Sequence, residues 1–354
     1  MPDVSTLLKN PTTSSAMADT PTAVSVEITA RCQLRCAHCF NDSGPKSHSE
    51  LDLSTMIRIL DQIADWPGVD SIRLSGGEPT VHPSFRDIVD ACGQRGIAVV
   101  INTNGIYSHT QMEYLKEAPI DLFMVSLDGL EKNNDAIRGI GSFQRAKGSC
   151  VQLLEAGQRV LVCCHLTKSS MSDLDGIIDL AIDLGTDLKL SPVRPIGRAQ
   201  AMLNREILEP ADYLSIIQTV SNRRKECPIR IVADFDILDA PVLAGGDDRM
   251  SCGAGRTTVN VNYDGHIYPC AFFVTPGREF SAGSVYDISL IDAWRTPAFE
   301  AFRVHAKCSQ CLACKFYRGA CLGGCPATAF FSTGFLDSRD PMCFAHLLTS
   351  GEPS

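Results

Sequence analysis

The chain has 354 residues, 44% hydrophobic and 21% charged, the balance of a folded protein long enough for about two domains at roughly 150 residues each. A net charge of −9 argues against a nucleic-acid partner, and no run of about 18 apolar residues suggests a membrane span. The N-terminus lacks a basic stretch followed by an apolar one, so a cytoplasmic protein is expected, in which 16 cysteines serve metals or catalysis rather than disulfides.

Residues 1–20 are rich in Ser, Thr and Pro and read as a disordered tail. Ala23–Thr29 alternates like a strand, and Met56, Ile59, Leu60 and Ile63 then recur at helical spacing. Further strand-like runs lie at Ser71–Leu74, Ile97–Ile101, Leu122–Leu127, Val160–Leu166 and Leu188–Val193. Leu174, Ile177, Ile178, Ala181 and Leu184 mark a helix face between the last two. Strand and helix alternating in this way predict an α/β fold, a parallel sheet with helices outside, either barrel-like or doubly wound. In such folds chemistry gathers at the C-terminal ends of the strands. Residues 21–235 form this unit. A Gly/Asp break within residues 236–250 reads as a linker, and residues 251–354 hold a smaller, cysteine-rich domain.

The cysteines fall into groups. Cys92, Cys150, Cys163, Cys164 and Cys227 sit in apolar or helix-like stretches and read as small core residues. Cys32, Cys36 and Cys39 follow the first strand on one loop. Three thiolates at this spacing suit three corners of an iron–sulfur cluster, leaving one iron open to another ligand. Zinc expects paired C-x2-C spacings or a histidine donor, and the position of His38 makes joint ligation awkward. Eight more lie late: Cys252, Cys270, Cys308, Cys311, Cys314, Cys321, Cys325 and Cys343. Eight thiols could build two zinc sites or two four-thiolate iron–sulfur clusters, and the residues alone leave both open.

The C-x3-C-x2-C loop after strand one resembles the radical S-adenosylmethionine (SAM) superfamily. Ser75-Gly76-Gly77-Glu78-Pro79 resembles that family's GGEP segment, which contacts the SAM ammonium. Asn102-Thr103-Asn104-Gly105 closes the third strand and Ser126-Leu127-Asp128-Gly129 the fourth. Ser126 and one of Arg138 and Arg145 resemble the contacts to ribose and carboxylate, and Pro192 opens a loop, through Arg198, that resembles the adenine-lining one. Phe40 and Asp128 complete the set of cofactor-binding candidates. His38 stands where the family usually has an aromatic residue, a mild departure. The resemblance implies a partial (β/α)6 TIM-like barrel, one [4Fe–4S] cluster whose open iron SAM chelates, and a 5′-deoxyadenosyl radical that abstracts a substrate hydrogen. A reductant such as flavodoxin or ferredoxin is the implied partner.

The late cysteines resemble the SPASM extension of these enzymes, with two auxiliary [4Fe–4S] clusters. Its pattern is Cys, Gly-x4-Cys, Cys-x2-Cys-x5-Cys-x3-Cys, Cys, and this chain has x6 in place of x5. By that resemblance Cys252, Cys270 and Cys325 bind an inner cluster, and Cys311, Cys314, Cys321 and Cys343 an outer one. Cys308 is extra: the inner cluster's fourth ligand, a spare thiol, or the hydrogen donor of a redox-neutral epimerisation, a role open to a barrel cysteine too. Auxiliary clusters suit oxidation, crosslinking or dehydrogenation, where a substrate radical loses an electron.

Enzymes with this extension most often modify ribosomally made peptides. Only about 20 residues precede the barrel, fewer than a leader-binding domain needs. Ala271 stands where sulfatase-maturing relatives place an Asp base. The expectation therefore leans to oxidation, epimerisation or decarboxylation of a sugar-, aminocyclitol- or nucleoside-type intermediate, with peptide maturation close behind. A non-catalytic iron–sulfur carrier or zinc protein would explain the cysteines but not the SAM-like loops.

Overall fold

The first strand, β1 (Ala23–Thr29), is the hinge of the whole architecture, because strands from both ends of the chain pair with it. The computed structural model describes residues 21–235, 252–274, 278–304, 308–317, 321 and 323–348; the expected tail and linker lie outside these. After β1 come α1 (Leu53–Ala64), β2 (Ser71–Gly76), α2 (Phe85–Gln94), β3 (Ala98–Thr103), α3 (His109–Leu115) and β4 (Leu122–Ser126). Then follow α4 (Glu131–Arg138), α5 (Ser142–Glu155), β5 (Val160–Leu166), α6 (Leu174–Leu184), β6 (Asp187–Pro192), α7 (Pro210–Arg224) and β7 (Ile231–Ala233). The six expected strands are all present, and the sheet is parallel from β1 to β7.

Each helix forms for a local reason and is held by burial. In α1 the Asp52 carboxylate caps the first turn by accepting the Thr55 N–H at 2.7 Å. Its Met56, Ile59, Leu60 and Ile63 are fully buried against the sheet, each contributing about 1.5–3 kcal/mol of apolar burial. Val24, Val26 and Ile28 of β1 face the same helix-side core as Ile72 and Leu74 of β2. The alternate residues of each strand therefore point the other way, into the lumen of an open barrel.

Three strands were not anticipated. β7 has three residues, too short for a periodicity signal. β8 (Thr258–Val261) lies beyond the expected linker yet pairs in parallel with β1, Ala23 opposite Thr258 through Val26 opposite Val261. With β9 (Ile267–Tyr268) antiparallel to it, the strand order is β7-β6-β5-β4-β3-β2-β1-β8-β9. The cysteine-rich region is thus partly a continuation of the barrel sheet. Its helices α8 (Leu290–Trp294), α9 (Pro297–Val304), α10 (Ser309–Leu312) and α11 (Pro326–Thr333) are short. Arg58 and Gln62 of α1 reach across to the Val285 carbonyl (2.6 Å) and the Leu290 N–H (2.7 Å). Trp66 meets Trp294 edge to face. Among the described residues, no helix is long and apolar enough to cross a membrane.

Candidate active site

The cluster loop leaves β1 at Ala30 and is anchored by backbone before any thiol takes part. The Ala37 N–H donates to the Ile137 carbonyl at 2.8 Å, tying the loop to α4. From the far side of the barrel, Arg198 donates from Nε to the Cys36 carbonyl (2.8 Å) and from Nη2 to the Ser43 carbonyl (2.9 Å). Its own N–H reaches the Cys39 carbonyl at 3.0 Å. The neighbouring Gly197 makes this approach possible: at φ +59° a Cβ there would lie 2.2 Å from the Phe40 carbonyl oxygen.

Cys32, Cys36 and Cys39 are free thiols on this loop. Cys32 accepts the Leu34 N–H at 3.4 Å and the Asn104 side-chain N–H at 3.6 Å, and Cys39 donates to Asn41 Oδ1 at 3.1 Å. Burial, then the charge of Glu78, pushes the Cys32 thiol up to about 12, so a thiolate needs a cation at its sulfur. His38 turns its Nε2 to Asp128 Oδ2 at 2.7 Å. Three cysteines and two hydrogen bonds aimed at one sulfur fit an iron–sulfur cluster with one position left over.

The glycine segment is pressed against the start of this loop. Gly77 N–H donates to the Thr29 carbonyl at 2.7 Å and Glu78 N–H to the Arg31 carbonyl at 2.9 Å. Gly76 has φ +129°, and a Cβ there would overlap the Thr29 carbonyl at 2.2 Å. Glu78 is fully buried and its carboxylate is spent inside the protein. It accepts from the Asn104 N–H (2.8 Å) and the hydroxyls of Thr80 (2.8 Å) and Thr103 (3.0 Å), tying the end of β2 to the end of β3. Pro79 opens the short turn that follows. What this segment offers a ligand is therefore backbone, and its side chain sets the shape.

Asp128 is the electrostatic centre. Arg138 Nε donates to its Oδ2 at 2.5 Å, and the His165 N–H to Oδ1 at 2.8 Å. The His165 ring nitrogen Nδ1 is 3.3 Å from Oδ1. Burial alone would raise the Asp128 pKa, but Arg138 and His38 overcome it and hold the carboxyl well below the usual range. Burial pushes the His38 pKa down, so the ring is neutral and donates from Nε2. Of the two candidate arginines, Arg138 joins this group at the end of α4, and Arg145 sits exposed on α5, whose buried face is Phe143, Ala146 and Cys150. Ser126 and Pro192 end β4 and β6 at the same rim. Phe40 turns toward the late cysteines, edge to face with Phe272 at 5.3 Å.

The late cysteines pack in two different places. Cys252, Cys270 and Cys325 share one apolar cluster with Phe40, Ile196 and Phe272. The Cys270 thiol is raised by burial and by the charges of Cys252 and Cys325. Cys314, Cys321 and Cys343 pack instead against the main core. Cys308 caps the four-residue α10, and one turn brings its sulfur 3.3 Å from that of Cys311. It stands with the outer set, and among the described residues nothing ties it to the inner trio. Arg194 bridges the barrel to the inner trio, donating to the Thr328 hydroxyl at 2.9 Å. Sequence reasoning placed Arg194 and Arg198 in one loop but not their tasks; the Gly-Arg pair after a strand end was the available signal.

A buried acid on the lumen wall makes a testable prediction. Burial pushes Glu27 of β1 up to about 8, against a single 3.4 Å bond from Asn41 Nδ2. Its contribution to stability is complete below the ordinary carboxylate pKa and is lost as pH rises through about 8. Glu27→Gln should therefore melt several degrees higher than the parent at pH 9 and close to it at pH 5, in thermal scans at both values.

Comparison with known proteins agrees with this geometry. The radical SAM superfamily model matches residues 26–181, and the SPASM iron–sulfur cluster-binding domain model matches 252–315. The mycofactocin maturase MftC of Mycobacterium tuberculosis is 30% identical over 334 residues, covering 92% of this chain and 83% of its own. The PqqA peptide cyclase of Methylobacterium nodulans is 31% identical over 333 residues, covering 91% and 86%. The fold matches crystalline SuiB of Streptococcus suis bound to S-adenosylmethionine, with a TM-score of 0.76 at 22% identity over 92% of this chain and 78% of that one. Membership brings SAM, a [4Fe–4S] cluster and auxiliary iron–sulfur clusters as cofactors. The chain belongs to the radical SAM superfamily and is a radical SAM enzyme with the SPASM extension.

Proposed function

We propose that this enzyme matures a peptide. The observation that carries the reading is its 31% identity, across 91% of its length, to a PqqA peptide cyclase. The expected lean toward a sugar- or nucleoside-type substrate rested on the short N-terminal segment and on Ala271, and the relatives outweigh both. In the same reading Cys32, Cys36 and Cys39 hold the SAM cluster, the Gly76–Pro79 backbone and Arg138 hold SAM, and Ser126, Asn104, Phe40 and Pro192 line its place. Cys252, Cys270 and Cys325 hold one auxiliary cluster, and Cys311, Cys314, Cys321 and Cys343 a second, with Cys308 beside it. A flavodoxin- or ferredoxin-type reductant serves the SAM cluster. When bound, the cluster and SAM together supply a hydrogen-abstracting carbon radical. The protein's part is to fix the three thiols, to hold Asp128 ionised so that Arg138 stays in place, and to keep the reaction inside the barrel.

The test is anaerobic reconstitution with iron and sulfide, then incubation with SAM, dithionite and synthetic peptides encoded beside the gene. A mass change in one peptide together with 5′-deoxyadenosine is expected. Release of 5′-deoxyadenosine coupled to change in a sugar or nucleoside, with every peptide intact, would overturn the peptide reading.

A further inference from the structure

In the lumen below the SAM rim, two cations have no ion-pair partner among the described residues. Ile72 and Leu74 belong to the helix-side core, so Arg73 between them points into the lumen; Lys189, between Leu188 and Leu190, does likewise. Arg73 lies opposite Val100, which joins Leu122, Met124, Leu161 and Cys163 in the apolar cluster on the lumen side. Ser126, Cys163 and Lys189 stand in one row across β4, β5 and β6. Both cations border that cluster, Arg73 beside Val100 and Lys189 beside Cys163; burial pushes the Cys163 thiol up to about 11, and the charges of Lys189 and Arg73 oppose that rise.

The carboxylates on and beside the neighbouring strands have other partners. Asp187 pairs with Arg230 at 2.8 Å, Asp128 with Arg138, and Asp234 accepts the Ser191 hydroxyl at 2.7 Å. Glu27 is met by Asn41. Among the described residues, no ion pair or hydrogen bond engages Arg73 or Lys189, and the Arg73 Nε is buried without a partner. A guanidinium held in this way is costly unless an anion joins it. Arg73 also stands three residues before Gly76, about 10 Å deeper than the glycine segment at the rim.

We infer that Arg73 and Lys189 form a receptor for a carboxylate of the substrate, with Val100, Leu122, Met124 and Leu161 behind it. The inference rests on the peptide reading and deepens it: the peptide presents an acidic side chain or its terminal carboxylate next to an apolar group. The planar fork of Arg73 suits a carboxylate, and Lys189 supplies a second charge from the opposite strand.

The test uses the reconstituted, full-length protein with 3-phenylpropionate as probe and 3-phenylpropionamide as its uncharged twin, both read by saturation-transfer NMR. With SAM bound, the acid should bind at least tenfold more tightly than the amide. Lys189→Gln and Arg73→Gln should each weaken the acid by about tenfold, and Lys189→Arg should restore it. Equal binding of acid and amide, no binding of the acid at 50 mM, or unchanged binding in the Gln variants overturns the receptor. SAM carries a carboxylate too, so displacement of the acid by SAM would assign the cations to the cofactor and overturn it as well. Failure of the wild-type protein to act on any peptide counts against the peptide reading, not against these arms.

Discussion

Replacing Cys32, Cys36 and Cys39 together by Ala is expected to abolish 5′-deoxyadenosine formation while the late cysteines keep their iron. The loop should survive the change, because its position depends on backbone bonds to Ile137 and on the Arg198 fan rather than on sulfur. The iron content should fall by about four per chain, the complement of one [4Fe–4S] cluster. Iron analysis and chromatography of the SAM products check both halves. Continued SAM cleavage by the triple variant would remove these thiols from the site. Loss of all iron would show that the two ends of the molecule do not hold their clusters independently.

Gly197→Ala should be nearly as damaging, although the residue touches no cofactor candidate with a side chain. The added methyl would meet the Phe40 carbonyl at 2.2 Å and the Cys39 carbonyl at 2.7 Å, both backbone atoms with no rotamer to escape into. The positive φ adds strain of order 1–3 kcal/mol for a side chain. Either the cluster loop or the segment after β6 must move, and with it the bonds from Arg198. We expect SAM cleavage to drop at least tenfold and the melting temperature to fall by several degrees. Gly185→Ala is the control, since it has a similar positive φ of +67° but open space at the Cβ. An equal loss of cleavage in the control would trace the effect to strain rather than to the loop contact.

Much of this was legible in the chain because it is local. Strand and helix periods are read over a dozen residues, and the loop motifs each follow their own strand end. Hence β1 and β5 match the expected bounds and the others differ by a few residues. What escaped depends on distance. β8 has four residues and earns its place by pairing with a strand more than 230 residues earlier. Arg138 and Arg145 could not be told apart by spacing; the fold separates them, because one ends α4 beside Asp128 and the other lies on the outer face of α5. His165 escaped for the same reason, since its partner Asp128 comes from the neighbouring strand. Glu78 was expected to contact the cofactor, and only its four donors, the Thr80 N–H and hydroxyl, the Thr103 hydroxyl and the Asn104 N–H, reveal that its side chain is a tie between strands.

The pairing of β8 with β1 also bears on how the protein can be handled. A fragment ending at residue 235 would leave the hydrogen-bonding side of β1 bare, from Ala23 to Val26, at the strand that carries the cluster loop. Such an unprotected edge invites pairing with other copies and aggregation. The barrel is therefore no module to be excised: expressed alone, it should precipitate, and supplying residues 252–354 in trans should recover it in solution.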